Sequence, residues 1–113
     1  MPIAVQRLTA DIAVAGQLAP EAMAEAAAAG FRSVINNRPD FEGGPTQPTS
    51  ASIEAAAHAA GLSYAFLPVA SGYQSPQEIA KFAQLLESMP KPVLAFCRSG
   101  ARSGNLVRAA LAT

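Results

Sequence analysis

Apolar positions along the chain come in short clusters, separated by glycine, proline and small polar residues. Between residues 5 and 16, two brief apolar stretches flank Thr9-Ala10-Asp11, a pattern that predicts two short strands joined as a hairpin. Pro20 stands where a helix accepts proline, Glu21 falls in its first turn, and Gly30 ends the alanine-rich stretch that follows. Residues 31–36 carry Val34-Ile35, a short buried-strand signal. Asn37-Arg38-Pro39-Asp40 reads as a turn, and residues 41–50, with Gly43-Gly44-Pro45 and Pro48, as a loop. Residues 51–60 give a second alanine-rich helix closed by Gly61, residues 62–69 the next strand, and residues 70–75 another loop. Ser75-Pro76-Gln77-Glu78 is a capping box with proline at the first helical position, and behind it Ile79, Phe82, Leu86 and Met89 recur on one helical face. Pro90-Lys91-Pro92 stops that helix. Val93-Leu94-Ala95-Phe96 is continuously apolar, as a strand covered on both faces is. A last helix starts near Ser103 and runs to the end, with Leu106, Val107, Ala110 and Leu111 on one side.

The recurring order of helix, glycine and strand predicts an α/β fold. A single domain over residues 1–113 is expected, with a mostly parallel sheet of four to five strands flanked by helices. Ligands of such sheets bind beyond the carboxyl ends of the strands. Three loops fall on that edge: residues 36–50, 70–75 and 97–102.

Composition narrows the function. Half of the 113 residues are hydrophobic and 14% are charged, enough apolar material for one core and too much for a disordered chain. No apolar run approaches the roughly 20 residues of a membrane span, and the alanine helices carry too few charges for a membrane-surface face. The start lacks the basic head and apolar centre of a secretory signal, so the expected location is cytoplasmic. Cys97 is the single cysteine and His58 the single histidine. This excludes an internal disulfide and argues against a metal site, and no cofactor is expected. A formal net charge of zero argues against nucleic acid as a partner. The charge is uneven, however: from Lys91 onward come Lys91, Arg98, Arg102 and Arg108 and no acid. A local positive segment around the only thiol suits a small anion or a stabilised thiolate.

The informative stretch is Phe96-Cys97-Arg98-Ser99-Gly100-Ala101-Arg102-Ser103, between the most apolar strand and a helix start. A short loop entering a helix gathers several main-chain N–H groups on one spot, and the helix dipole adds positive character there. Gly100 permits the backbone such a cradle needs. Cys97 at its base is expected to be a thiolate nucleophile, with Arg102 supplying full charge beside it. Arg98, Ser99, Gly100, Ala101 and Ser103 form the expected anion-binding loop, Arg98 as rim charge or solvated side chain, Ser103 as helix cap or thiolate partner. Arg38, Asp40 and Tyr73 are candidate rim residues. For the first two, the plainer expectation is that they pair with each other or with water. Tyr73 either covers the pocket or packs elsewhere, and His58 is expected on the surface.

The strand, Cys-Arg-Ser-Gly-Ala-Arg-Ser and helix resemble the loop shared by rhodanese-type sulfurtransferases and cysteine-dependent phosphatases. The phosphatases it resembles set cysteine and arginine one residue further apart, tend to carry histidine before the cysteine, and place an acid aspartate on an upstream loop. Here Phe96 precedes Cys97, and Pro68-Val69-Ala70-Ser71-Gly72-Tyr73-Gln74 holds no acid. Together with Asp11-Ile12-Ala13-Val14-Ala15-Gly16-Gln17-Leu18, Gly30-Phe31-Arg32-Ser33-Val34-Ile35-Asn36-Asn37-Arg38-Pro39-Asp40 and Leu67-Pro68-Val69, the pattern is similar over nearly the whole chain to the DUF442 phosphatase-like domain. That domain also occurs in β-lactamase hydrolase-like proteins, joined to a persulfide dioxygenase. The resemblance implies a tyrosine-phosphatase-like fold with a rhodanese-length cysteine loop and a role in sulfane-sulfur handling. The leading expectation is therefore a rhodanese-like sulfurtransferase. Cys97 takes sulfur from thiosulfate or a persulfide and passes it from a Cys97 persulfide to a thiol such as glutathione. Because the sequence ends at Thr113, a dioxygenase partner is expected to be a separate protein. The alternatives are a small cysteine-dependent phosphatase of tyrosine or dual-specificity type, and a non-enzymatic anion- or sulfur-binding module.

Overall fold

The computed structural model describes residues 3–112. Five strands form one mixed sheet in the order β1-β2-β5-β3-β4: β1 (Gln6–Arg7), β2 (Ile12–Ala15), β3 (Ser33–Asn36), β4 (Ser63–Phe66) and β5 (Val93–Phe96). β1 is antiparallel to β2, as the predicted hairpin requires, and the other pairings are parallel. Four helices flank the sheet: α1 (Ala22–Ala28), α2 (Ser50–Ala59), α3 (Pro76–Ser88) and α4 (Ala101–Leu111). The expectation that the last helix reaches Thr113 concerns a residue outside the described range.

β5 is the middle strand, and its alternation builds both halves of the core. Val93 and Ala95 face Phe82, Leu86, Leu106 and Val107 of α3 and α4. Leu94 and Phe96 face Met23 and Ala26 of α1 and Ile53 and Ala57 of α2. Each large side chain closed off in this way stabilises the fold by roughly 1.5–3 kcal/mol. No helix among the described residues is long and apolar enough to cross a membrane.

Three boundaries differ from the sequence reading. The fourth strand is shorter than expected, because past Phe66 the chain slips out of the β3 register. Leu67 and Val69 still donate to Asn36 and Asn37 carbonyls, so the chain runs on beside β3 without a regular ladder. The first helix begins two residues after Pro20, with Pro20 and Glu21 in the turn leading into it. The last helix begins at Ala101 rather than near Ser103, with Gly100 as its N-cap, and Leu111 is exposed rather than packed. The capping box of α3 is formed: Ser75 Oγ accepts from Glu78 N at 3.1 Å and Glu78 Oε1 from Ser75 N at 2.8 Å.

Candidate active site

β5 delivers Cys97 to the carboxyl edge of the sheet, and the flanking strands fasten the turn that follows. Asn37 N–H donates to the Phe96 carbonyl at 2.8 Å, and Gln17 N–H to the Arg98 carbonyl at 3.1 Å. Gly100 then turns with φ 93°, a left-handed conformation that side chains resist. A Cβ there would meet the Ala15 carbonyl at 3.4 Å, an ordinary contact, so the constraint on this position is its backbone conformation. This turn brings Gly100 N–H back onto Cys97 Sγ at 3.1 Å.

Cys97 is only 1% exposed, yet it lines the floor of a cleft of about 750 Å³. Burial pushes its thiol up. The Ser103 N–H and hydroxyl and the Ser99 and Gly100 N–H groups act against burial and outweigh it, so the thiol is held below its ordinary value. Ser103 belongs to the open first turn of α4, while Ser99 and Gly100 lie in the turn before it, Gly100 as an N-cap with no side chain of its own. Ser99 and Ala101 interact locally, Ala101 N–H donating to Ser99 Oγ at 3.3 Å. Ser103 does not cap the helix, because α4 starts two residues before it. Its hydroxyl donates to Asn37 Oδ1 at 2.9 Å, and Asn37 Nδ2 donates to the Leu67 carbonyl.

Arg102, in the first turn of α4, is 7% exposed rather than solvated. Its Nη1 donates to Glu42 Oε2 at 3.1 Å and to the Val69 carbonyl at 3.0 Å, and its Nη2 to Glu42 Oε1 at 3.1 Å. Its Nε is buried with no protein acceptor. Arg38 pairs with Glu42 as well, Nε donating to Oε1 at 2.9 Å, and Nη1 donates to Gln17 Oε1 at 3.0 Å. Glu42 is thus clamped by two guanidinium groups. The Arg102 hydrogen bonds act first against partial burial, and with Arg38 they hold its carboxyl below the usual range. Gly43 makes room for this clamp, since a Cβ there would stand 2.6 Å from Arg38 Nη2.

The cleft draws on all three loops expected at the sheet edge: Arg38, Glu42 and Gly43; Ser71, Gly72 and Gln74; and Cys97, Arg98, Ser99, Ala101 and Arg102. Asn105 of α4 joins them. Arg98 is exposed at its border. Asp40 lies outside it, its Oδ1 accepting the Ser50 N–H at 2.7 Å at the start of α2. The expected Arg38–Asp40 pairing is not formed, since Glu42 takes the arginine. Tyr73 is 71% exposed and walls no part of the cleft. His58 is exposed on α2, 4.0 Å from Glu54. Sequence reasoning passed over Glu42 and Asn37. Glu42 carries a usable signal, four residues after Arg38 in an edge loop, where two arginines need a counter-charge.

The family model described as "Beta-lactamase hydrolase-like protein, phosphatase-like domain" matches residues 4–113. A beta-lactamase hydrolase-like protein of Agrobacterium fabrum is 36% identical over 100 residues, which is 88% of this chain and 23% of that protein. The chain therefore spans about a quarter of that relative's length. A solved structure of a candidate phosphatase from Neisseria meningitidis superposes with a TM-score of 0.82 at 30% identity, covering 89% of this chain and 71% of that one. A candidate DUF442 phosphatase from Shewanella putrefaciens gives 0.79 at 20% identity, covering 95% and 67%. Further solved phosphatases of lower identity share the fold.

These findings overturn the sulfurtransferase reading. Matching family model and shared fold alike are phosphatase-like, and nothing among them supports a rhodanese activity or a Cys97 persulfide. The weakness of the expectation was physical. It leaned on the shorter Cys97–Arg102 spacing, whereas α4 begins at Ala101 and carries Arg102 into the cleft wall from its first turn. By sequence and by fold, the chain belongs to the phosphatase-like domain family of the beta-lactamase hydrolase-like proteins.

Proposed function

We propose that this domain is a cysteine-dependent phosphatase. The observation that carries the reading is the Cys97 sulfur at the floor of the cleft, held by the Gly100 N–H at 3.1 Å and by donors of the first turn of α4. A thiolate there attacks phosphorus and forms a phosphocysteine, which water then hydrolyses. The loop N–H groups and the unpaired Nε of buried Arg102 are the donors available to the phosphoryl oxygens. Glu42 is the positioning residue that fixes the Arg102 guanidinium in the cleft wall. The cysteine loop is of the shorter, rhodanese-length kind, and the early start of α4 lets such a loop present its arginine. The Neisseria relative described as a candidate phosphatase supports the same activity.

The test is hydrolysis of p-nitrophenyl phosphate, followed in parallel by intact mass after acid quenching. The expected result is turnover with a transient phosphoryl adduct on Cys97, and a loss of at least about 10³-fold in kcat for Cys97→Ser. Turnover that survives in Cys97→Ser overturns the reading.

A further inference from the structure

The phosphatase reading, on which this inference rests, leaves the leaving group open, and the cleft restricts it. An alkyl phosphate needs a proton delivered to its departing oxygen, because an alkoxide leaves poorly. Among the cleft residues the one carboxyl belongs to Glu42, and both arms of Arg102 and the Nε of Arg38 hold it as carboxylate. Ser71, Gly72 and Gln74, from the loop after β4, carry no acid. Asp40 is engaged on the Ser50 N–H away from the cleft.

The walls restrict the substrate further. Among the described residues no aromatic side chain lines the cleft, and Tyr73 and Phe41 stand out in solvent at 71% and 66% exposure. A phosphotyrosine ring therefore finds no stacking face. The volume, about 750 Å³, is that of a site for a whole small molecule rather than a lone tetrahedral anion. Three guanidinium groups, of Arg38, Arg98 and Arg102, face one carboxylate. Arg98 has no ionic partner among the described residues.

We propose that the substrate is a phosphoanhydride: a diphosphate whose terminal phosphoryl group enters the Cys97 loop while the second phosphate, the leaving group, lies against Arg98. The Cys97 thiolate attacks the terminal phosphorus. The S–P bond forms as the bridging P–O bond breaks, and its electron pair leaves on the oxygen of the departing phosphate. That oxyanion needs no proton, since the second ionisation of a phosphate monoester falls near pH 6, against about 10 for a tyrosine phenol. Water then attacks the phosphocysteine. The O–P bond forms, the S–P bond breaks, its electrons return to Sγ as thiolate, and the proton of the water goes to solvent with orthophosphate.

The experiment compares kcat/KM for phenyl diphosphate, phenyl phosphate, p-nitrophenyl phosphate and phosphoserine, with orthophosphate release as the readout. Phenyl diphosphate is expected to exceed phenyl phosphate by at least about tenfold, with phosphoserine slowest. In Arg98→Ala the ratio of phenyl diphosphate to p-nitrophenyl phosphate falls about tenfold, the order of one charge-assisted contact, and Arg98→Lys restores part of it. Phenyl phosphate or phosphoserine turned over as fast as the diphosphate, or a ratio unmoved in Arg98→Ala, overturns the substrate class and leaves the phosphatase reading standing. Turnover of none of the four overturns the phosphatase reading and this proposal with it.

Discussion

Cys97 is nearly closed off from solvent, which by itself disfavours its charged form, and three main-chain N–H groups and one hydroxyl reverse that preference. The hydroxyl of Ser103 has a single proton and two acceptors in reach, Asn37 Oδ1 and Cys97 Sγ. Asn37 cannot release it by flipping its amide, because Nδ2 is needed by the Leu67 carbonyl. The hydroxyl therefore serves the asparagine while the sulfur is protonated and turns to the sulfur on ionisation. Removing it in Ser103→Ala raises the thiol pKa toward the ordinary value of about 8.5. The rising limb of kcat/KM against pH then moves up, because one hydrogen bond to the charged form of the sulfur is lost. The pH dependence of Cys97 alkylation by iodoacetamide should move with it, and a limb that stays in place would show that the hydroxyl serves Asn37 alone. The sign of the linked stability follows. A depressed thiol pKa stabilises the fold fully above the unfolded value and ceases to do so as pH falls through the folded one.

At the scale of elements, the turn between β5 and α4 depends on one residue more than any other. Gly100 takes φ 93° and donates the N–H that meets the sulfur. Gly100→Ala is expected to cost about 1–2 kcal/mol in urea unfolding and to slow Cys97 alkylation at neutral pH. Wild-type stability in that variant would mean the strain is relieved elsewhere. This turn also marks how far the sequence could be read. Continuous apolar character identified β5 as a strand covered on both faces, and the capping box at Ser75 set the start of α3 within a residue, because both signals are local. The three edge loops were legible for the same reason, each opening where a strand pattern stops. The pairings of Glu42 with Arg102 and of Asn37 with Ser103 were not, since these partners lie 60 and 66 positions apart, and only the sheet order brings them together. The start of α4 was placed too late because Ser103 looks like a cap, whereas a left-handed glycine does that work here without a side chain.

For the whole molecule, the sheet order is what assembles the site. With β5 between β2 and β3, the cysteine turn is tied to Gln17 on one side and Asn37 on the other, and Arg102 of α4 reaches both Glu42 after β3 and Val69 after β4. An anion seated among them binds only the folded chain, so it stabilises every element that contributes. Inorganic phosphate at a hundredfold its Kd adds about 2.7 kcal/mol, which for a domain of this size raises Tm by about 10 °C. Glu42→Gln separates holding the anion from aiming it. The substitution leaves Arg38 and Arg102 without their counter-charge, which strengthens the pull on phosphate but frees the Arg102 guanidinium to turn from its fixed orientation. The expected outcome is a phosphate-induced Tm shift at least as large as in the wild type, together with a kcat about tenfold lower. If the shift is lost instead, the carboxylate builds the anion site itself, and the two arginines are held apart from their ligand without it.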